Sequence, residues 1–195
     1  MNLARMVNCL DDDLCDHIIN TNWEFQRSKV LKDNRTEVHS IRTNTSAPLV
    51  GGLEKLAHQQ INDALQRWSE RIKSEYPPEI INCLYLPGIR TSFPTYREAI
   101  GVLKYEPGQE YKWHTDQAVE RSRSGECDAL SRCISVVVYL NDDFKGGETE
   151  MLGRKYRPKK GKALIFPSNW NYPHRACPVK EGTKYALVTW FHPSN

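Results

Sequence analysis

His114 and Asp116, in the run EYKWHTD, stand two residues apart. In an extended strand side chains alternate between faces, so this imidazole and carboxylate share one face and Thr115 takes the other. Such a pair holds one edge of a metal ion and needs a third donor from elsewhere. His174, in YPHRACPV, follows a turn and reads as a strand residue, whereas His17 and His58 fall in helical segments, His39 in the polar VHSIRTN stretch and His192 in FHPSN. Two histidines and a carboxylate form a facial triad suited to Fe(II), with positions left open for substrate-side ligands and O2. The same set also suits catalytic zinc, and the ligands alone do not choose between the metals. Against zinc hydrolysis, nothing nearby is an evident base for activating water. Lys184 opens the apolar run KYALVTWF. A buried ammonium there needs an anion, which a dicarboxylic cosubstrate chelating the metal at its other end would supply; the alternative is a lysine that snorkels from a strand end. Alternation puts Lys184, Ala186, Val188 and Trp190 on one face.

These residues need a scaffold of short strands. From Ala99 onward, runs of β-branched and aromatic residues (AIGVLKY, EYKWHTD, CISVVVYL, ETEML, KALIF, YPHRACPV, KYALVTWF) alternate with PGQ, NDDFKGG, RPKKGK, PSNWN and KEGT. Short strands with Gly/Pro/Asn punctuation predict a sandwich or barrel, and seven or eight of them fit a jelly roll. The first third reads as helical. Asp11 to Asp13 precede Leu14, Ile18 and Ile19 at helical spacing, and residues 53–74 place Leu53, Leu56, Ala57, Ile61, Ala64, Leu65, Trp68 and Ile72 on one face of a longer helix. That helix can cover a sheet. Between strands, the polar 117–131 stretch is long for a connection and reads as a lid or binding loop, or as a solvated loop.

Composition sets the outer bounds. At 195 residues the chain fits one domain with a proper core, and 39% hydrophobic with 26% charged residues excludes disordered and fibrous classes. No apolar run approaches the roughly 20 residues that span a bilayer, so no membrane association is expected, and MNLARMVNCLDDD does not read as a signal peptide. The six cysteines show no C-x-x-C or zinc-ribbon spacing, which suggests reduced thiols and a cytoplasmic location. A net charge of +3 gives no argument for a nucleic-acid partner.

The ordered string Tyr105-x-x-Gly108-x-x-Tyr111-x-x-His114-x-Asp116, followed by Arg132, Tyr139-Leu140-Asn141-Asp142, Gly146-Gly147-Glu148-Thr149, Pro158-x-x-Gly161-x-Ala163-x-x-Phe166, His174-x-x-x-Pro178-Val179, Gly182-x-Lys184 and Trp190, resembles the 2-oxoglutarate/Fe(II)-dependent oxygenases, in particular their prolyl 4-hydroxylase branch. The likeness covers residues 98–192, and Arg42-Thr43 is similar to an Arg-Thr-Ser stretch of the family. It implies a mainly β fold, a double-stranded β-helix (a cupin-like jelly roll) with N-terminal helices packed on the major sheet. The expected organisation is one domain over 1–195, with 1–97 as helical support and irregular segment and 98–192 as catalytic core.

It implies Fe(II) held by His114, Asp116 and His174, and 2-oxoglutarate meeting Lys184 and Tyr139 in a pocket lined by Tyr105 and Thr149. O2 would be the oxidant and ascorbate the reductant. Trp190, Arg132 and Tyr111 would border the substrate pocket. Arg132 either contacts a peptide or faces solvent, since seven positions separate it from Tyr139 and a regular strand would point the two oppositely. The implied substrate is a prolyl residue of a protein or peptide, with target choice expected to come from the barrel mouth, chiefly the 117–131 segment and secondarily the 77–97 stretch. The same chemistry on another side chain, a free amino acid or a nucleic-acid base is the alternative, although the nucleic-acid branch carries an arginine where this chain has Lys184. A non-catalytic jelly roll would be expected to have lost motif residues that are all present here.

Overall fold

The computed structural model describes residues 1–32, 35–84, 97–117, 120–121, 127–128 and 132–192. Two antiparallel sheets dominate. The larger orders its strands Arg5–Asn8, Lys162–Pro167, Ile134–Tyr139, Lys184–Phe191, Gly101–Tyr105, Thr45–Pro48 and Gln26–Arg27. The smaller runs Arg154–Tyr156, Thr149–Met151, His174–Ala176 and Tyr111–His114. Lys145–Gly146 pairs with Val179–Glu181 at a register shift. A hydrogen bond between the Tyr139 and Thr149 hydroxyls links the two sheets, and Ser135 donates to Asp116 just past the end of the smaller one. This is the double-stranded β-helix.

Period-2 alternation explains why the central strand serves both sides. Ile134, Val136 and Val138 join the core that contains the helices. Ser135 and Tyr139 reach toward the smaller sheet instead. The helical side rests on α1 (Asp12–Asn20) and α2 (Gly51–Glu75). Asp11 caps α1 by accepting the Leu14 amide at 2.7 Å, behind an acidic first turn. In α2, Ala57, Ile61, Ala64, Leu65, Trp68 and Ile72 are buried, the stripe expected of a helix lying on a sheet. Trp68 satisfies its indole N–H on the Leu3 carbonyl at 2.8 Å, tying helix to edge strand. Leu56, expected on that stripe, is instead exposed.

The N-terminal third departs from the helical expectation. Arg5–Asn8, Gln26–Arg27 and Thr45–Pro48 are strands of the larger sheet, and Val30–Lys32 pairs with Arg35–Glu37 as a separate ribbon. Segments of two to four residues are too short to carry a readable period; register with Lys162–Pro167 decides Arg5–Asn8, register with Gly101–Tyr105 decides Thr45–Pro48, and Gln26–Arg27 pairs onto the latter. Within the 77–97 stretch, Pro78–Ile81 forms the short helix α3, and residues 85–96 lie outside the described set. Of 117–131, Glu120–Arg121 and Cys127–Asp128 form a strand pair, Gln117 precedes them, and the rest lies outside the described residues. Among the described residues no helix is long and apolar enough to cross a membrane.

Candidate metal and cosubstrate site

The smaller sheet brings His114 and His174 side by side, as register partners of adjacent strands. Asp116 lies just past the end of Tyr111–His114, and the turn of the chain there still delivers its carboxylate between the two imidazoles. The ligating atoms of all three lie within 4.8 Å of one another. His114 Nε2 is 3.5 Å from Asp116 Oδ1, and His174 Nε2 is 3.5 Å from Oδ2. His114 Nδ1 stands 2.7 Å from the Lys112 carbonyl oxygen and His174 Nδ1 3.1 Å from that of Tyr172. A carbonyl only accepts, so each Nδ1 carries the proton and each Nε2 presents its lone pair inward.

Charge follows the same logic. Burial pulls the His174 pKa below its usual value and outweighs the pull of Asp116. Burial would raise the Asp116 carboxyl, but His174, His114 and the Trp190 indole together hold it well below the usual carboxylate range. The Trp190 N–H is buried and completes no hydrogen bond of good geometry, although it lies close enough to favour the carboxylate. Two imidazoles oriented by backbone carbonyls and one ionised carboxylate are a donor set that fits a divalent iron with open positions.

Deeper in the same interior, Lys184 is 2% exposed. Its Nζ donates to the Gly147 carbonyl at 2.7 Å and sits 5.1 and 5.3 Å from the ring centres of Tyr105 and Tyr139. Among the described residues no carboxylate closes an ion pair with it, and burial pulls its pKa down to about 8. Gly147 is in the left-handed region at φ 66°, and a Cβ there would stand 3.1 Å from Lys184 Cδ and 2.9 Å from the Phe144 ring. Glycine is therefore what lets this carbonyl reach the ammonium. Tyr105 is the register partner of Lys184 across the larger sheet, and burial pushes its phenol up to about 12. The Tyr139 hydroxyl meets Thr149 Oγ1 at 2.8 Å. A buried cation without a counter-ion, beside a neutral phenol and a threonine hydroxyl, fits the far carboxylate of a dicarboxylic acid.

Arg132 precedes the strand Ile134–Tyr139, so strand alternation does not set its direction. Its guanidinium lies 3.6 Å from the Trp190 ring centre, donates to Glu98 at 2.6 and 2.8 Å, and stands 3.4 Å from the Asp116 carbonyl oxygen. It thus points to the site side of the barrel. Tyr111 stacks on the His114 ring at 3.5 Å with planes 14° apart, and the Arg42 guanidinium lies 4.9 Å from the Tyr111 ring centre. His114, Asp116 and His174 thus form one cluster, with Tyr111, Arg132 and Trp190 against it, and Lys184 stands with Tyr105 and Tyr139. Sequence reasoning missed Glu98 and the buried hydroxyls of Ser135 and Ser168. Ser135 donates to Asp116 Oδ2 at 2.7 Å and lies 2.8 Å from Ser168 Oγ. A lone serine inside the apolar run CISVVVYL was the available signal.

Comparison with known proteins gives a consistent picture. Residues 100–192 match the model of the 2OG-Fe(II) oxygenase superfamily. Prolyl 4-hydroxylase 2 of Arabidopsis thaliana is 27% identical across 94% of this chain and 64% of its own length. A putative prolyl 4-hydroxylase of Acanthamoeba polyphaga mimivirus is 33% identical across 48% of this chain and 44% of its own. The chain thus spans less than two thirds of the length of these relatives. Among solved structures, the viral collagen prolyl hydroxylase of Paramecium Bursaria Chlorella virus-1 superposes with a TM-score of 0.65 at 20% identity, over 96% of this chain and 94% of that one. A Trichoplax adhaerens prolyl hydroxylase, solved with a hypoxia inducible factor oxygen degradation domain peptide, gives 0.66 at 18%, over 99% and 84%. These two likenesses establish the fold.

Proposed function

We propose that this chain is a 2-oxoglutarate/Fe(II) oxygenase of the prolyl 4-hydroxylase kind, supported by the match of residues 100–192 to that superfamily's model and by the prolyl 4-hydroxylase relatives, and that it hydroxylates a prolyl residue in a protein or peptide, releasing succinate and CO2. The observation that carries the reading is the presence, in one fold, of the His114/Asp116/His174 cluster and the buried Lys184 ammonium, with which no carboxylate among the described residues forms an ion pair. We assign the iron to those three side chains and the far carboxylate of 2-oxoglutarate to Lys184 and Tyr139, with Tyr105 and Thr149 lining the pocket.

Bound there, Fe(II) and 2-oxoglutarate would couple oxidative decarboxylation by O2 to delivery of one oxygen atom into a C–H bond. The protein's own part is positional. His114 and His174 present their Nε2 atoms inward, and each Nδ1–H donates to a backbone carbonyl. Lys184 supplies the charge that fixes the cosubstrate's far end, and Tyr139 holds a neutral hydroxyl beside it, because burial raises its pKa. Arg132, Trp190 and Tyr111 border the side from which a peptide would approach. No side chain is needed as a general base, since the hydrogen leaves carbon as an atom.

Ascorbate is the reductant we expect to keep the iron ferrous. The free thiols Cys9, Cys15, Cys83, Cys133 and Cys177 support a reducing, cytoplasmic setting. Strands from the first fifty residues share a sheet with the catalytic strands, which supports reading 1–195 as one unit. Incubation with Fe(II), 2-oxoglutarate, ascorbate and proline-containing peptides should yield succinate and a peptide heavier by one oxygen atom on proline. Iron-loaded protein that consumes 2-oxoglutarate and oxygenates only other residues would replace the substrate assignment. Iron-loaded protein that never turns over 2-oxoglutarate would overturn the reading.

A further inference from the structure

Asp116 has two oxygens at equal distance from two imidazoles, 3.5 Å each, so the histidines do not determine how the carboxylate meets a metal. Ser135 breaks that symmetry. Its hydroxyl donates to Oδ2 at 2.7 Å, and Oδ1 receives no such bond from Ser135. Ser135 stands on the strand face opposite Ile134 and Val136, directly across from Phe166 and Trp190 in register. A buried hydroxyl at that position has few partners available.

The second serine fixes the first. Ser168 follows the strand Lys162–Pro167, and its amide donates to the Cys133 carbonyl at 3.1 Å, which anchors it beside the start of the central strand. Its Oγ lies 2.8 Å from Ser135 Oγ. An ionised carboxylate only accepts, so the single proton of Ser135 is committed to Asp116, and the proton in the serine–serine bond must come from Ser168. The direction of the chain is therefore Ser168 to Ser135 to Asp116. Both serines are almost fully buried, at 1% and 0% exposure, so water does not compete for these bonds.

We propose that Ser135, held by Ser168, is a positioning residue that makes Asp116 a one-oxygen metal ligand by engaging Oδ2 and leaving Oδ1 for the ion. The proposal rests on the iron-site reading above and adds to it the identity of the outer residues that set the carboxylate's geometry. Ser135 acts through Asp116, and Ser168 acts through Ser135.

The test measures metal binding and not turnover. Fe(II) affinity is read anaerobically by titration, and Co(II) in the same site reports coordination through its visible bands. S135A should weaken Fe(II) about 10- to 100-fold, the range seen when a partner behind a metal ligand is removed, and should shift the Co(II) bands as the freed Oδ2 joins the ion. S135T keeps a hydroxyl at the same place and should restore both. S168A should give a smaller loss, and the S135A/S168A double variant should be no worse than S135A, because the second serine has no separate route to the metal. Wild-type affinity and spectrum in S135A, or losses that simply add in the double variant, would overturn the proposal. Should S135A fail to fold, S168A keeps the direct donor to Asp116, and an unchanged affinity and spectrum there refutes the relay. H174A separates the two levels. Metal binding that survives H174A removes the iron-site reading itself, whereas loss in H174A with none in S135A removes only the serine assignment.

Discussion

Replacing Lys184 by methionine keeps the length and apolar stem of the side chain and deletes its charge. Burial lowers the Lys184 pKa from 10.5 to about 8. At about 1.4 kcal/mol per tenfold change in acidity, the ammonium is destabilised in the empty pocket by about 3 kcal/mol relative to water. The hydrogen bond to Gly147 does not offset this. An incoming carboxylate would recover that energy as binding, so K184M should weaken 2-oxoglutarate by about 100-fold, the equivalent of the same 3 kcal/mol. The opposite sign is expected for stability. Without the cosubstrate, K184M removes a desolvated charge and should unfold at a higher temperature than wild type near pH 7, less whatever the lost bond to Gly147 contributed.

The pH dependence follows from the same shift. Between about 8 and 10.5 the unfolded chain holds the Lys184 proton that the folded chain has released, so stability contributed at this position rises with pH through that window. Cosubstrate affinity moves the other way, because the ammonium is the binding form, and the apparent Kd should climb above pH 8. Calorimetric titration of 2-oxoglutarate into metal-loaded protein, with thermal unfolding of the apo protein across pH 7 to 10, reads both. Cosubstrate binding in K184M within about threefold of wild type, or a clear loss of apo stability in it, would refute the account of Lys184 as an unneutralised anion receptor.

Other positions give separable outcomes. G147A should impair 2-oxoglutarate affinity and leave metal affinity near wild type, since its Cβ would press on Lys184 Cδ and Phe144 from a left-handed backbone; paired titrations check it. R132A should raise the KM for a proline peptide and spare peptide-independent 2-oxoglutarate decarboxylation, because the guanidinium contacts Trp190, Glu98 and the Asp116 carbonyl but not the Lys184 pocket. Trp68→Ala in α2 should cost about 3–5 kcal/mol in denaturant unfolding, from a fully buried indole that also bonds Leu3, with the metal ligands untouched.

What the sequence disclosed and what it withheld divide along a physical line. His114, Asp116, His174 and Lys184 stood out because each is costly to bury and sits in a short apolar or aromatic run, but those grounds left zinc and a snorkelling lysine open, and the ordered resemblance from Tyr105 to Trp190 implied the assignment. The one-faced stripe of α2 was legible because it persists over several turns. The strands at Arg5–Asn8, Gln26–Arg27 and Thr45–Pro48 were not, because their strand character comes from partners distant in sequence: Lys162–Pro167 for the first, Gly101–Tyr105 for the last, and Thr45–Pro48 itself for Gln26–Arg27. Arg132 was undecided for a related reason: strand alternation was extended to a residue that lies before the strand begins, and contacts with Glu98 and Trp190 set its direction instead. Ser135 and Ser168 were invisible as a pair, since a serine costs little to bury once bonded and only register brings the two within 2.8 Å. Candidate ligands of such a site can thus be picked out by residue type and spacing. The groups that fix how a ligand is presented depend on which strand lies beside which, so they become visible only once the sheet is assembled.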